Sequence, residues 1–370
     1  MKLIPRAVLR GPISMVHFVT RNCNARCSHC FIDFDDPATF RGDLKLDEIE
    51  RVSKTAGWQL QNVNLTGGEP FLRKDLFDVA RCYLDHASIR SLYITTNGYF
   101  TDRTRDFVER YLAAGYDRDR HLFFSFSIDD DRAGHDRNRR VPGLFERAMQ
   151  TLRSLEPHRG RRVLANVNLT VIPANADRIG AIYEMLAGDY GVQAFTTTIM
   201  REEGVARIDR GERERLYRAY RDLNARIHRD LEAGRIGGFG RTPLGRLANA
   251  KNVVMHGQIE QTFLTGEFIS TCYAGEVFLV LDANGDVRPC EVLPTVIGNV
   301  REAGYDLGRL WGSQKALDAR RHIVDSRCHC TYECAWSLNT LSDARYYPQI
   351  VSNLITIQPG TPRPLQVSHG

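Results

Sequence analysis

The sequence has no apolar run approaching the ~18 residues that a membrane-spanning helix needs. Its opening, MKLIPRAVLRGPISMVHFV, holds two short apolar runs broken by Pro and Arg. It lacks the unbroken apolar segment and small-residue cleavage site of a secretion signal. Both absences point to a cytoplasmic protein with no membrane partner. A strong charge of one sign is missing too: 50 Lys and Arg against 45 Asp and Glu leave +5 over 370 residues. The densest charged stretch, 201–230, interleaves Arg with Glu and Asp, which reads as a solvated helix face. No nucleic-acid-binding motif accompanies it, so no nucleic-acid partner is expected. Internal repeats and low-complexity tracts are also absent.

Cysteine is the informative residue that is present. There are nine, an odd count, and without a secretion signal this argues against a disulfide framework. Eight fall into two groups: Cys23, Cys27 and Cys30, then Cys272, Cys290, Cys328, Cys330 and Cys334. Close clusters in a reducing compartment point to metal or iron–sulfur ligation. Cys82 stands alone in the apolar-periodic stretch 76–84 and reads as a core thiol.

Short runs rich in β-branched and aromatic residues predict strands over 13–20, 62–66, 91–96, 122–128, 163–172 and 193–200. Helical patterns separate or follow them at 46–56, 74–86, 101–114, 143–155, 176–187 and 211–233. Six βα units in series predict an α/β fold with a parallel sheet and helices outside. Periodicity alone leaves a partial barrel and an open doubly wound sheet both open. In either, chemistry gathers at the C-terminal strand ends. The distinctive residues sit there: Cys23–Cys30, Gly67-Gly68-Glu69-Pro70, Asn97-Gly98, and Asp129-Asp130. The Gly-rich stretch 234–245 reads as a linker or mobile loop, 277–288 as a β-hairpin turning at 282–285, and 359–370 as a disordered or loosely docked tail. The expected division is an N-terminal extension (1–11), a core (12–235), a linker (236–265), a cysteine-rich unit (266–345) and a tail (346–370).

The N-terminal spacing in RNCNARCSHC is C-x3-C-x2-C. Three adjacent thiolates can hold three irons of a [4Fe–4S] cube and leave one iron open to a small chelating ligand. Zinc with a fourth ligand is the rival, but His29 between two ligating cysteines is poorly placed for the same ion. In this spacing the chain resembles the radical S-adenosylmethionine (AdoMet) superfamily. The likeness continues in order through Gly67-Gly68-Glu69-Pro70, Thr95-Thr96-Asn97-Gly98, Ser127-Ile128-Asp129, and His135-Asp136-Arg137 with Gly143 and Phe145. The aromatic residue that often precedes the last cysteine is here His29. The resemblance implies a partial (β/α)6 barrel. It also implies a [4Fe–4S] cluster on Cys23, Cys27 and Cys30, with AdoMet chelated at the open iron. Gly67, Gly68, Glu69, Asn97, Ser127 and Asn168 would bind AdoMet, Thr170 stands with Ser127 and Asn168 as a strand-end contact, and Arg201 is a weaker candidate. Reductive cleavage of AdoMet would give a 5′-deoxyadenosyl radical that takes hydrogen from a substrate. A reducing partner such as flavodoxin or ferredoxin is implied, and no catalytic dyad need be visible.

Cys272-x12-Gly285-x4-Cys290 resembles the opening of a SPASM or twitch domain, which carries auxiliary iron–sulfur clusters. Cys328-x-Cys330-x3-Cys334 departs from the usual SPASM run, and no cysteine follows it. Two fully protein-ligated cubes would need eight cysteines; five allow one auxiliary [4Fe–4S] cluster with one cysteine to spare. Which of Cys328, Cys330 and Cys334 is spare is not readable, and a four-cysteine zinc knuckle is the alternative. The resemblance implies peptide or protein modification first, then oxidation or epimerisation of a small molecule. The barrel pattern begins about a dozen residues from Met1, so a leader-binding module is not expected ahead of it. A non-catalytic iron–sulfur carrier or redox sensor is the alternative of another class; an AdoMet pocket argues against it.

Overall fold

The computed structural model describes residues 9, 11–57, 59–158, 160–201, 208–360 and 365. Six parallel strands alternate with helices: β1 (Ser14–Thr20), α1 (Leu46–Thr55), β2 (Asn62–Gly67), α2 (Leu76–His86), β3 (Ser91–Thr96), α3 (Thr101–Ala113), β4 (His121–Ser127), α4 (Arg132–Arg139), α5 (Leu144–Ser154), β5 (Val163–Val171), α6 (Ile179–Gly188), β6 (Phe195–Ile199) and α7 (Arg210–Glu232). This is the partial (β/α)6 barrel. Strand side chains alternate between faces because the side-chain period is two. Val63, Leu65, Leu92, Ile94, Phe124 and Phe126 point outward and are completely buried under the helices. The opposite face presents Asn64, Thr66, Thr95, Ser125, Ser127, Asn168 and their neighbours to a cavity. The barrel interior is therefore a polar-lined chamber, unlike the side-chain-filled interior of a closed eight-stranded barrel. Cys82 is buried in α2 among core side chains, as expected of a structural thiol.

Beyond α7 come α8 (Pro243–Thr265), β7 (Phe278–Leu281), β8 (Asp286–Arg288), β9 (Gly298–Asn299), α9 (Leu307–Trp311), α10 (Gln314–Asp325), α11 (Glu333–Ser342) and α12 (Tyr347–Thr356). Three features differ from the sequence reading. First, the hairpin is not confined to a separate unit. Its strand β7 pairs in parallel with β1, Ser14 opposite Phe278 and Val16 opposite Val280. One nine-stranded sheet results, in the order β6-β5-β4-β3-β2-β1-β7-β8-β9.

Second, the expected linker 236–265 is mostly the 23-residue helix α8. Thr242 caps it by accepting Gly245 N–H, Pro243 opens it, and Gly266 in the left-handed region (φ 63°) closes it. The helix packs against α7, α11 and α12 and also faces the cavity. Its apolar residues therefore lie on several sides and leave no stripe for periodicity to detect. Third, the expected tail 346–370 contains α12; its Ile350, with Tyr346 just ahead of the helix, packs on Ala250 and Val254 of α8. Residues 1–8 and 10 of the expected N-terminal extension lie outside the described residues, as do 361–364 and 366–370 of the tail. Among the described residues no helix is long and apolar enough to cross a membrane.

A part-buried ion pair helps tie the C-terminal unit to the barrel. Arg301, just after β9, donates from Nε to Glu48 Oε1 (2.6 Å) and from Nη2 to Glu48 Oε2 (3.0 Å), and Tyr305 OH donates to Oε1 (2.9 Å). The Arg301 hydrogen bonds hold the Glu48 carboxyl down at about 2, against an ordinary 4.5. A depressed carboxylate pKa stabilises the fold above its unfolded value, and that contribution is lost as pH falls through the folded one. With Arg301 exposed to solvent, screening discounts that contribution, and Glu48→Gln is expected to cost about 1 kcal/mol in urea unfolding at pH 7. The gap to wild type should narrow as pH is lowered from 4.5 toward about 2.

Candidate active site

A cavity of about 1120 Å³ runs along the polar face of the barrel strands, with α8 and α11 on its other side. At the C-terminal strand ends its wall includes Cys23, Cys27 and Cys30. The loop carrying them is fixed from outside. The end of α4 presents two free carbonyls: Arg139 O accepts Arg26 N–H (3.0 Å) and Asn138 O accepts Ser28 N–H (3.1 Å). Arg140 in the left-handed region ends that helix. Behind the loop, Arg139 Nε and Nη2 donate to Asp129 Oδ2 at 2.9 and 2.7 Å, both side chains buried. The matching His135–Phe145 segment now has a physical role. Asp136 accepts Gly143 N–H (2.5 Å) and Phe145 N–H (2.9 Å), and His135 packs edge-on against Phe145. These contacts hold α4, and through it the cysteine loop. Burial pushes all three thiols above their ordinary value, Cys23 to about 12. Ligation must therefore displace protons that the protein otherwise retains.

Gly67 and Gly68 lie where β2 meets the end of β1. A Cβ on Gly67 would stand 2.1 Å from the Thr20 carbonyl oxygen, and one on Gly68 2.0 Å from that of Asn22. Gly67 also has φ +138°. The close approach these glycines permit is thus to the backbone leading into Cys23, besides any approach to a ligand. That approach is sealed by Gly68 N–H to Thr20 O (2.8 Å) and Glu69 N–H to Asn22 O (2.9 Å). Gly67→Ala is expected to lower the unfolding free energy by about 3 kcal/mol or more, read in urea. Glu69 is fully buried and stands behind the wall: Oε1 accepts Phe71 N–H (3.0 Å) and Thr96 OH (2.8 Å), and Oε2 accepts Asn97 N–H (2.8 Å). Burial pushes its carboxyl up to about 7. Asn97, Ser127 and Asn168 line the cavity. Asn97 Nδ2 donates to Asn24 beside the first cysteine (2.8 Å), and Asn168 accepts from Thr196 (3.1 Å).

The C-terminal cysteines separate into two places. Cys272, Cys290, Cys328 and Cys330 surround a second cavity of about 170 Å³. Cys334 does not; it opens into the large cavity instead. After burial, the influences raising Cys328 and Cys330 include the Cys272 and Cys290 thiols. The charges acting on Cys334 are Glu291, Arg201 and Glu333. Tyr332 lines both cavities. Its hydroxyl donates to Glu291, and the Arg201 guanidinium lies 4.3 Å from its ring centre. Arg201 Nη1 in turn bonds Glu291 Oε2 at 2.7 Å. Arg201, considered only as an AdoMet contact, thus joins the barrel to the cysteine-rich unit. Among the described residues no three His, Cys, Asp or Glu side chains converge on a single-ion position. The cysteines of each group are spread around a larger volume.

The sequence reading missed Lys251, Glu291 and Tyr332 as cavity residues. Glu291 follows Cys290 directly and Tyr332 lies between Cys330 and Cys334, so neighbourhood to the cysteines was their only signal. Lys251 carried none.

Residues 18–186 match the radical SAM superfamily, and residues 272–335 match the SPASM iron–sulfur cluster-binding domain. The chain thus carries a radical SAM domain, of a family of enzymes, and a C-terminal SPASM domain. Such domains indicate [4Fe–4S] clusters and AdoMet. Among relatives, an AdoMet-dependent heme synthase of Methanosarcina barkeri is 28% identical over 334 residues, 88% of this chain and 89% of that protein. Among solved structures, anSMEcpe with bound AdoMet superposes with a TM-score of 0.63 at 16% identity, covering 94% of this chain and 96% of that one. Streptococcus suis SuiB bound to its precursor peptide SuiA gives 0.59 at 15% identity, covering 85% and 68%. At these identities the structures share the fold.

Proposed function

We propose that this enzyme abstracts hydrogen from a compact organic molecule held in the barrel cavity. Its [4Fe–4S] cluster sits on Cys23, Cys27 and Cys30, and one auxiliary cluster sits on Cys272, Cys290, Cys328 and Cys330. The observation that carries the reading is the chamber itself: three thiols, two strand-end glycines and a polar barrel face converge on one space. The donor sets fit iron–sulfur clusters, being thiols grouped by three and by four around cavities. When bound, the cluster and AdoMet supply a 5′-deoxyadenosyl radical that removes the substrate hydrogen. The protein's part is placement. Gly67 and Gly68 bring the strand end against the cysteine loop, and Asn97, Ser127 and Asn168 offer neutral hydrogen bonds to AdoMet. Glu69, behind the wall, positions it by holding the Asn97 backbone N–H through Oε2 and the Thr96 hydroxyl through Oε1. Arg139 and Asp129 fix the loop and leave no net charge behind it.

Small-molecule pockets hold about 300–1,000 Å³. A chamber of 1120 Å³ shared with a cluster and AdoMet leaves room for a substrate of that kind. The relative matched along most of the chain is named for a small-molecule product. Peptide modification is the second reading, favoured by the fold shared with a protein solved with its precursor peptide. A cytoplasmic setting and a flavodoxin- or ferredoxin-type donor belong to the same proposal. The test is anaerobic reconstitution with iron and sulfide, then assay of 5′-deoxyadenosine with dithionite and AdoMet. About eight irons per chain with nucleoside release supports two clusters and radical chemistry. Iron without nucleoside, with candidate substrates present, sinks the enzyme reading in favour of a carrier or sensor.

A further inference from the structure

Lys251 stands on the cavity-facing side of α8, together with Leu247, Ala248, Asn252 and Met255. It is 8% exposed. Its ammonium donates to Ser337 Oγ of α11 at 2.8 Å and lies 3.7 Å from Met255 Sδ. The two arginines at the C-terminal strand ends of the cavity are each neutralised, Arg139 by Asp129 and Arg201 by Glu291. Lys251 forms no ion pair with a carboxylate among the described residues. Burial lowers its pKa from 10.5 to about 8, and the Cys334 thiol, which lines the same cavity, acts in the opposite direction; burial pushes that thiol itself up to about 11, so it is a weak source of counter-charge. A buried cation without a counter-charge is unfavourable unless something supplies one. An ammonium has three donors, and a hydroxyl and a thioether leave one for a ligand.

We propose that Lys251, with Ser337, is the seat for a carboxylate of the substrate. This rests on the reading of the cavity as the reaction chamber. One positive charge beside one hydroxyl matches a singly charged carboxylate. A phosphate dianion would call for a second positive charge, and the other α8 residues lining the cavity, Leu247, Ala248, Asn252 and Met255 among them, supply none. The seat belongs to α8, whereas the groups assigned to AdoMet lie on β2 to β5. The carboxylate bound here is therefore the substrate's, and it would fix which carbon of the substrate is presented to the radical.

The test uses the full chain with saturating AdoMet, so that the cofactor's own carboxylate is already placed. Glutarate, glutaramide and glycerol phosphate are titrated at matched ionic strength, with the thermal midpoint as readout. Acetylation of Lys251 by acetic anhydride, quantified by mass spectrometry, is followed in parallel. Glutarate is expected to raise the midpoint and to protect Lys251, and glutaramide to do neither. Lys251→Met should weaken glutarate about tenfold or more, and Lys251→Arg should retain part of the binding. Equal glutarate shifts in wild type and Lys251→Met, or equal protection by the amide, would overturn the seat, and tighter binding of glycerol phosphate would overturn its carboxylate class. If Lys251→Met does not fold, protection in the wild-type chain still decides. AdoMet cleavage by wild type is scored separately: its absence beside carboxylate binding at Lys251 would remove the radical reading and leave the anion seat standing.

Discussion

Cys27→Ala is expected to abolish 5′-deoxyadenosine release, down to the assay background, while leaving the fold in place. The proposed cluster has three protein ligands and one iron reserved for AdoMet, so it has no spare ligand. Removing one thiol leaves a cube with two anchors. Reconstituted iron should then fall from about eight to about four atoms per chain, the remainder residing at the C-terminal site. The fold should survive because the loop's attachment does not pass through the Cys27 side chain. It passes through the Arg26 and Ser28 amides on the carbonyls at the end of α4, and through Gly68 and Glu69 on Thr20 and Asn22. The thermal midpoint of the iron-free variant should therefore lie within a few degrees of iron-free wild type, a surface-level perturbation. Retained nucleoside release in this variant would undo the assignment of the N-terminal cysteines. A large loss of iron-free stability would instead show that the thiol packs structurally, which its partial exposure does not favour.

Much of the barrel was legible because its strands are short runs rich in β-branched and aromatic residues set between helical patterns. The expected strand 91–96 coincides with β3, and the others agree to within two residues at each end. Alternation announces itself when one face meets helices and the other meets a polar cavity, as with Val63 and Leu65 against Asn62 and Asn64. What failed to show are the elements buried on more than one side. β7 is FLVL, buried throughout, and a short apolar run does not reveal that its partner is β1 at the other end of the chain. α8 faces three helices and a cavity, so no apolar stripe marks it. Lys251 was invisible for a related reason. A lysine in a partly polar helix reads as solvated, and only the packing of α11 across α8 shows that its ammonium is buried. The glycines of the GGEP segment were found, but one reason for them was not. Their freedom serves the crossing of β2 over the backbone before Cys23, a tertiary contact no local pattern encodes.

The spare cysteine is the other point the spacing left open, and it carries the second large prediction. Cys290→Ala is expected to lose the auxiliary iron, about four atoms per chain, and product formation with it, yet to keep AdoMet cleavage. Cys334→Ala is expected to keep all of the iron. The distinction comes from where α11 begins. Cys328 and Cys330 lie in an extended segment before it and, with Cys272 and Cys290, face the small cavity. Glu333 opens the helix, so Cys334 falls in its first turn and is carried to the far side of Tyr332, into the large cavity. A cluster on the first four cysteines would cross-link the segments flanking the β7–β8 hairpin to the chain between α10 and α11. Its loss in Cys290→Ala should lower the thermal midpoint of the reconstituted protein, whereas Cys334→Ala should leave that midpoint near wild type. Iron analysis alone separates the outcomes: loss of auxiliary iron in Cys334→Ala, with retention in Cys328→Ala or Cys330→Ala, would transfer the fourth ligand to Cys334. A thiol left free in the chamber, beside Glu291, Arg201 and Glu333, faces whatever substrate enters there. Alkylation by iodoacetamide of the reconstituted protein should accordingly mark Cys334 and spare the other four C-terminal cysteines.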